Sequence, residues 1–219
     1  MTIRAKLYAA IVLTILGPLA TTAVALHGMG QMGDRFDEVQ ERARHESIAL
    51  ELKFGVTDVN GWQTAYGYDN GRSRPVFDRS VAQFRRDLRG AAATLTGERE
   101  RELLDRLRAD FRSFMEIDVE AYRALRRGDE QRVRDLFLGP EIARFSAMAD
   151  TAGELALYQR RQADATREAF DDARDDARKR LITVALGAGI VIVLLLVTAS
   201  DVARLALEGE RHRRARSDD

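Results

Sequence analysis

The chain has 219 residues, with 35 basic and 35 acidic side chains and no cysteine. The balanced charge leaves no overall basic field to attract nucleic acid, and the absence of cysteine excludes disulfides and thiolate chemistry. Charged residues make up 32% of the chain and proline occurs only 3 times, a composition that favours long helices. We therefore expect an all-α protein that binds no nucleic acid.

The first element is a charge-free run, LYAAIVLTILGPLATTAVAL, over residues 7–26. As a helix it would span roughly 30 Å, the thickness of the hydrocarbon core of a bilayer. Residues 1–6 are basic and are expected to be a cytoplasmic N-terminus. The same pattern is also typical of a signal peptide that would remove residues 1–25. We favour an uncleaved transmembrane helix because a helical pattern resumes at Asp34.

Residues 34–180 have the pattern of several helices packed together. Apolar residues recur at steps of three and four, which is the seam spacing of helices packed nearly parallel in a bundle. The first stripe consists of Ile48, Leu52, Gly55, Val59, Trp62 and Tyr66. Helix-breaking residues interrupt the pattern near residues 69–75, 95–98, 127–129 and 139–140. We expect an antiparallel four-helix bundle whose first and fourth helices are continuous with membrane spans.

A second charge-free run, LITVALGAGIVIVLLLVTA, covers residues 181–199 and predicts a second transmembrane helix. The tail at 200–219 is rich in arginine, so both chain ends are expected on the cytoplasmic side. The bundle would then lie outside the cytoplasmic membrane of the cell. A basic cluster at 178–180 argues against this orientation, but long translocated segments are largely indifferent to their charges.

The stretch VNGWQTAYGYDNG contains the only tryptophan of the chain, Trp62, among several polar residues. Trp62 and Tyr66 lie on the apolar stripe, so core packing explains both. Asn60 and Gln63 are polar amides beside the same stripe, where such groups fix helix register or contact a ligand. Both interpretations, an interhelix polar pin and a ligand site, remain open.

Asp118 occupies a seam position of the third predicted helix, where an apolar residue is expected. A carboxylate at a seam needs a donor, because an unpaired buried charge is costly. We hypothesise that Asp118 accepts a hydrogen bond from the indole of Trp62, from Asn60 or from Gln63.

The sequence offers little for catalysis. The three histidines, His27, His45 and His212, lie far apart, and no pairing of histidine and glutamate at helical spacing has the pattern of a metal site. No glycine-rich phosphate loop and no nucleophile elbow is present. We expect neither an enzyme nor a bound metal or cofactor.

Three segments resemble the four-helix-bundle sensor domains of bacterial methyl-accepting chemotaxis proteins: LKFGVTDVNGWQTAYGYD at 52–69, FRSFMEIDVEAYRALRRGD at 111–129 and LFLGPEIARFSAMADTAGELALY at 136–158. The order of span, bundle and span is similar too. The resemblance implies a homodimeric receptor in the bilayer that senses a small solute or a partner protein and transmits the signal through its second span. Some members of the family hold an amino-acid ligand with arginines at the dimer interface, and the resemblance makes four arginines candidates for such a clamp, although charges this common usually face solvent: Arg42, Arg44, Arg72 and Arg74.

The residues after the second run depart from that family. Its members continue into a relay module with a proline and then a long coiled hairpin, whereas SDVARLALEGERHRRARSDD has no proline and no sustained heptad. We therefore expect no intrinsic signalling output, and a heterodimer with full-length chemoreceptors as a further form of assembly. The alternative function is a membrane-anchored structural or adaptor stalk that binds a partner protein and no small ligand.

Overall fold

The computed structural model describes the backbone of residues 3–215 and the side chains of residues 8, 12, 14–197, 200 and 204. These residues form five α-helices and one π-helical turn, and the described backbone contains no strand. The all-α prediction is therefore confirmed. The elements are α1 (Ile3–Tyr68), α2 (Arg74–Thr94), α3 (Glu98–Arg126), α4 (Glu130–Leu136), the π-helical turn Phe137–Glu141 and α5 (Ile142–Ala215).

The break between α1 and α2 follows from local backbone chemistry. Asn70 and Gly71 have positive φ angles of 59° and 86°, a left-handed conformation that ends helices and that these two residue types tolerate best. Pro75 then lies in the first turn of α2, where its missing N–H is not needed. The turn was predicted from these residues, and it places the first residue of α2, Arg74, close behind the last turn of α1.

Residues Glu38–Glu168 form one compact unit, called here the core unit. Helices α1, α2, α3 and α5 all contribute side chains to a single hydrophobic core within it. The ring of Phe84 in α2, for example, packs edge-on against Phe111 in α3 with centroids 4.9 Å apart. The largest fully buried side chains are Tyr66, Phe77, Phe84, Phe114, Leu52, Leu95, Leu103, Leu104, Leu107, Leu136, Met148 and Leu155.

The buried stripe of α1 differs from the predicted one near its end. It continues from Val59 to Gln63 and Tyr66, whereas Trp62 is 37% exposed. The expected burial of Trp62 in the core is therefore wrong. Steps of four and three from Val59 reach both Gln63 and Tyr66, and Trp62 points about 100° away from Gln63 on the helix. The size of the indole suggested burial, but its position on the helix decided exposure.

The other compact unit consists of the described residues on either side of the core unit. Within Glu130–Val197, one stretch is long and apolar enough to cross a membrane, with a mean hydropathy of 2.6 and none of it buried in the protein. It is the one such stretch among the described residues. The predicted span at 7–26 lies partly outside the residues whose side chains are described, and so do most of the tail at 200–219 and the last two residues of the 181–199 run.

Candidate functional site

A fully buried carboxylate lies at the centre of the candidate site. Asp118 in α3 has no exposed surface, and its Oδ1 accepts three hydrogen bonds. The donors are Gln63 Nε2 at 3.2 Å and Tyr66 Oη at 2.5 Å from α1, and Arg74 Nη1 at 3.1 Å from α2. Oδ2 lies 3.0 Å from Arg74 Nη2 as an ion pair, but accepts no well-aligned hydrogen bond. These four residues, the Asp118 cluster, join three helices.

The sequence builds this cluster by local rules. Gln63 and Tyr66 are three residues apart on α1 and therefore lie on one face. The tight turn after α1 brings Arg74 back alongside that face at the start of α2. A buried carboxylate is stable only when a cation and further donors surround it, and these helices supply both.

Three aromatic rings surround the guanidinium group of Arg74. Its central carbon lies 4.4 Å from the ring centroid of Tyr122, 4.6 Å from that of Phe77 and 5.0 Å from that of Tyr66. Rings at such distances attract a cation through their negative faces. The side chain of Arg74 is only 16% exposed, so its charge is held by the rings and by Asp118 more than by water.

The electrostatics of the cluster favour a fixed arrangement of protons. Burial, and next the negative charge of Asp118, raise the pKa of the Tyr66 hydroxyl. Burial, the largest single cause, would lower the pKa of Arg74, but the attraction of Asp118, Tyr66 and Asp78 and the hydrogen bond to Asp118 together raise it. Tyr66 thus stays a donor and Arg74 stays charged over the whole physiological range. The hydroxyl of Tyr66 and the guanidinium group of Arg74 therefore hold Asp118 in a polar pin between the helices.

The five predicted site residues do not all come together. Gln63 and Tyr66 contact Asp118 directly, and Gln63 is one of the three donors hypothesised for it. The indole N–H of Trp62 instead donates to Asp58 at 3.1 Å on the same helix, so the hypothesis of a bond from Trp62 to Asp118 is wrong. The side-chain oxygen of Asn60 is buried and has no partner within the protein.

Arg74 has a different role from the one considered in the sequence. It was a candidate for a ligand clamp, yet its guanidinium contacts Asp118 and the exposed carboxylate of Asp78, whose Oδ1 lies 2.9 Å from Nε. The signal that could have identified this role is its position directly after the turn, beside a face of α1 that carries Gln63 and Tyr66. Trp62 is likewise tied to α2 indirectly, because Asp58 also accepts a hydrogen bond from Ser80.

A second buried polar group was not predicted. Glu100 in the first turn of α3 is 4% exposed and accepts hydrogen bonds from Gln159 Nε2 in α5 and from the backbone N–H of Gly97, both at 2.7 Å. His45 Nδ1 of α1 lies 3.7 Å from Glu100, beyond hydrogen-bond distance. We call these the Glu100 cluster. The sequence did contain a sign of this cluster. His45 lies four residues before the buried Ala49, and Gln159 lies three residues after the buried Ala156, so each polar residue falls on the buried face of its helix.

Among the described residues, no group of three or more His, Cys, Asp or Glu side chains is placed to hold a metal ion. A scan against protein-family models and a search of curated proteins find no match to this chain.

Proposed function

We propose that this protein is a membrane-anchored, receptor-like sensor of the chemotaxis-transducer type. Helices α1, α2, α3 and α5 form an antiparallel four-helix bundle outside the cytoplasmic membrane, flanked by transmembrane spans at 7–26 and 181–199. The proposal rests mainly on the composition of two helices, α1 and α5. Both α1 and α5 contain a long charge-free run and also contribute side chains to the hydrophobic core of the core unit.

The attachment of α5 to its neighbours supports a signalling role for that helix. The Asp118 cluster joins α1, α2 and α3 but includes no residue of α5. Small side chains make up much of the α5 contribution to the core, including Ala152, Ala156 and Ala163. Its ion pairs to α3 run from Glu154 to Arg99 and Arg106, which are all partly exposed. Such pairs are worth little each. The cost of a shift of α5 along the other three helices is therefore set by its apolar contacts and by the hydrogen bonds of Gln159 and Thr151 to α3.

The sensor would work as a homodimer, or as a heterodimer with full-length chemoreceptors, as the resemblance to their sensor domains implies. It would detect a small solute or a partner protein. A structural stalk is the second candidate, and one observation favours it. Each donor side chain of the Asp118 cluster already binds Asp118 within the protein, which suits a rigid pin better than a site awaiting a ligand.

The membrane arrangement is tested by labelling introduced cysteines, because the chain has none of its own. Leu138→Cys places a thiol on the core unit at a position 68% exposed, and Arg204→Cys places one beyond the second run. An impermeant maleimide should label the first variant in intact cells and the second only after permeabilisation. Labelling in the reverse order would contradict the proposed sidedness.

Sensing is tested on the full chain in uncharged detergent, by following its melting temperature against amino acids, organic acids and divalent ions. A ligand at about one hundred times its Kd should stabilise the protein by roughly 2.7 kcal/mol, a shift of several degrees. A saturable shift supports the sensor. Cooperative melting without a shift for any compound favours the stalk.

A further inference from the structure

A groove between α2 and α3 in the core unit is lined by four arginines. Its cavity volume is about 330 Å³, and its walls include Arg85 and Arg89 from α2 and Arg108 and Arg112 from α3. Phe111 and Met115 supply apolar surface to the same groove. Spacings of three and four residues along both helices direct all of these side chains toward one another.

The charges of this groove are poorly compensated. Arg108 pairs with Asp105 at 2.7 Å. Arg85, Arg89 and Arg112 have no carboxylate within ion-pair distance among the residues that the structure describes. Other exposed arginines of the core unit are also unpaired, but these three lie around one groove. Three unpaired guanidinium groups around one groove repel each other, and a bound anion would relieve that repulsion.

The neighbouring groove shows that the basic lining is not a general property of the surface. It lies between α1 and α2 and is lined by Glu51, Asp58 and Asp87, with no arginine or lysine. Helix α2 therefore separates an acidic groove from a basic one. In a chain whose total charge is balanced, this separation concentrates positive potential on the α2–α3 side.

We propose that the α2–α3 groove binds a small organic polyanion, with two or more carboxylate or phosphate groups on an apolar or aromatic body. The planar guanidinium fork matches both anions in a bidentate manner, which explains why the lining uses arginine. The volume of the groove suits a small molecule at the lower end of the usual range for ligand pockets.

The apolar surface of the groove favours an organic anion over an inorganic one. Phe111 is only 6% exposed and forms a fixed floor. The guanidinium carbon of Arg85 lies 5.8 Å from the centroid of the same ring, which holds that side chain over the groove. An inorganic anion would use the arginines alone, whereas an organic body would also contact the partly buried side chain of Met115 beside the ring.

The groove is separate from the Asp118 cluster, and none of its lining residues belongs to that cluster. Its meaning as a sensor site rests on the function proposed above, but anion binding itself does not. A failure to bind anions would leave the cysteine-labelling result unaffected, and reversed sidedness would leave the binding result unaffected. The two proposals therefore fail separately.

The experiment is calorimetric titration of the full chain in uncharged detergent at low ionic strength, with benzene-1,3,5-tricarboxylate and pyrophosphate as probes. We expect saturable binding of the tricarboxylate, with pyrophosphate several-fold weaker because it has no apolar body. In Arg85→Gln/Arg112→Gln, binding of the tricarboxylate should weaken about tenfold or more. Arg89→Gln, which removes a charge without touching the Phe111 ring, should weaken it in the same direction.

The matched control is Arg79→Gln/Arg123→Gln. These two arginines are exposed on the same two helices but do not line the groove, so the variant loses equal charge. Binding by this control should stay within about twofold of the parent protein, since distant exposed charges are screened. Equal weakening in both double variants would overturn the site in favour of general charge attraction. Absence of saturable binding would overturn it entirely, and tighter binding of pyrophosphate would overturn the proposed ligand class.

Discussion

The carboxylates of Asp118 and Glu100 are both buried in α3, but their partners differ. Asp118 has a permanent cation, Arg74, at 3.0 Å, together with the hydroxyl of Tyr66 and the amide of Gln63. Glu100 has two neutral N–H donors, from Gln159 and from the backbone of Gly97. Its nearest ionisable neighbour, His45, lies 3.7 Å away and is charged only when protonated.

This difference indicates two structural roles. The Asp118 cluster links α1, α2 and α3 through the permanent charge of Arg74. The Glu100 cluster also caps the first turn of α3 and reaches α5, but its N–H donors are neutral, and a carboxylate gains less from these than from a charged donor such as Arg74. Of the two helices that carry a charge-free run, α1 is joined to α3 by the stronger cluster and α5 by the weaker one.

The largest expected effect comes from breaking the stronger cluster. Asp118→Ala leaves the buried charge of Arg74 without its main partner, so we expect a loss of about 3–5 kcal/mol in the free energy of unfolding. The measurement is chemical denaturation of the full chain in detergent, followed by circular dichroism.

The control for this variant is Asp78→Ala. It removes the other carboxylate that contacts Arg74, but that carboxylate is 59% exposed, so the change should stay within about 1 kcal/mol. Equal losses of unfolding free energy in the two variants would mean that the buried carboxylate of Asp118 stabilises the fold no more than the exposed one of Asp78 does.

A third buried carboxylate extends the comparison, because it has neither a cation nor a neutral N–H group as a hydrogen-bond donor. Glu141 in the π-helical turn is 5% exposed, and its Oε1 has no hydrogen-bond partner within the protein. Burial raises the pKa of Glu141 from its ordinary value of 4.5 to about 7. Between these values the folded state holds a proton that the unfolded state has released, so stability falls as the pH rises from about 4.5 to about 7.

The expected loss across that pH window is up to about 3 kcal/mol, since one pKa unit corresponds to about 1.4 kcal/mol. Glu141→Gln keeps the side-chain shape without the charge and should remove most of this pH dependence, which makes the variant more stable than the parent at pH values above about 7. Denaturation midpoints of both proteins across the window provide the measurement. Parallel pH profiles for the two proteins would rule out Glu141 as the source.

Breaking the weaker cluster should cost less than breaking the stronger one. Glu100→Ala removes two acceptors and leaves the amide of Gln159 without its partner, for an expected loss of about 1–3 kcal/mol. Because Glu100 also caps α3, Glu100→Gln should recover part of that loss, since a Gln oxygen can still accept from the Gly97 N–H. A loss as large as that of Asp118→Ala would contradict the ranking of the two clusters.

The smallest effect is spectroscopic. Trp62 donates to Asp58 and lies outside the Asp118 cluster, so Asp58→Ala should change Trp62 emission at a cost of about 1 kcal/mol. Asp118→Ala should leave that emission unchanged under conditions where the variant is still folded. Emission that follows Asp118 and ignores Asp58 would show that the indole has a different partner in solution.

The sequence alone determined the helical class and the helix ends. Composition, the three-and-four spacing of apolar residues, and the Asn70-Gly71 turn with its following Pro75 are all local signals, and the structure agrees with each of them. The same reasoning identified Asp118 as a seam position in need of a donor and named Gln63 among its candidates.

Only the tertiary structure decided which residues surround each buried charge. Trp62 and Gln63 are adjacent in sequence, and the choice of which one faces the core depends on how α1 is rotated against α2 and α3. Arg74 and Glu100 look like ordinary surface charges until the turn and the cap bring them against other helices. Spacing along one helix fixes which residues share a face, but the partner of that face comes from a distant part of the chain, so no local pattern can specify it.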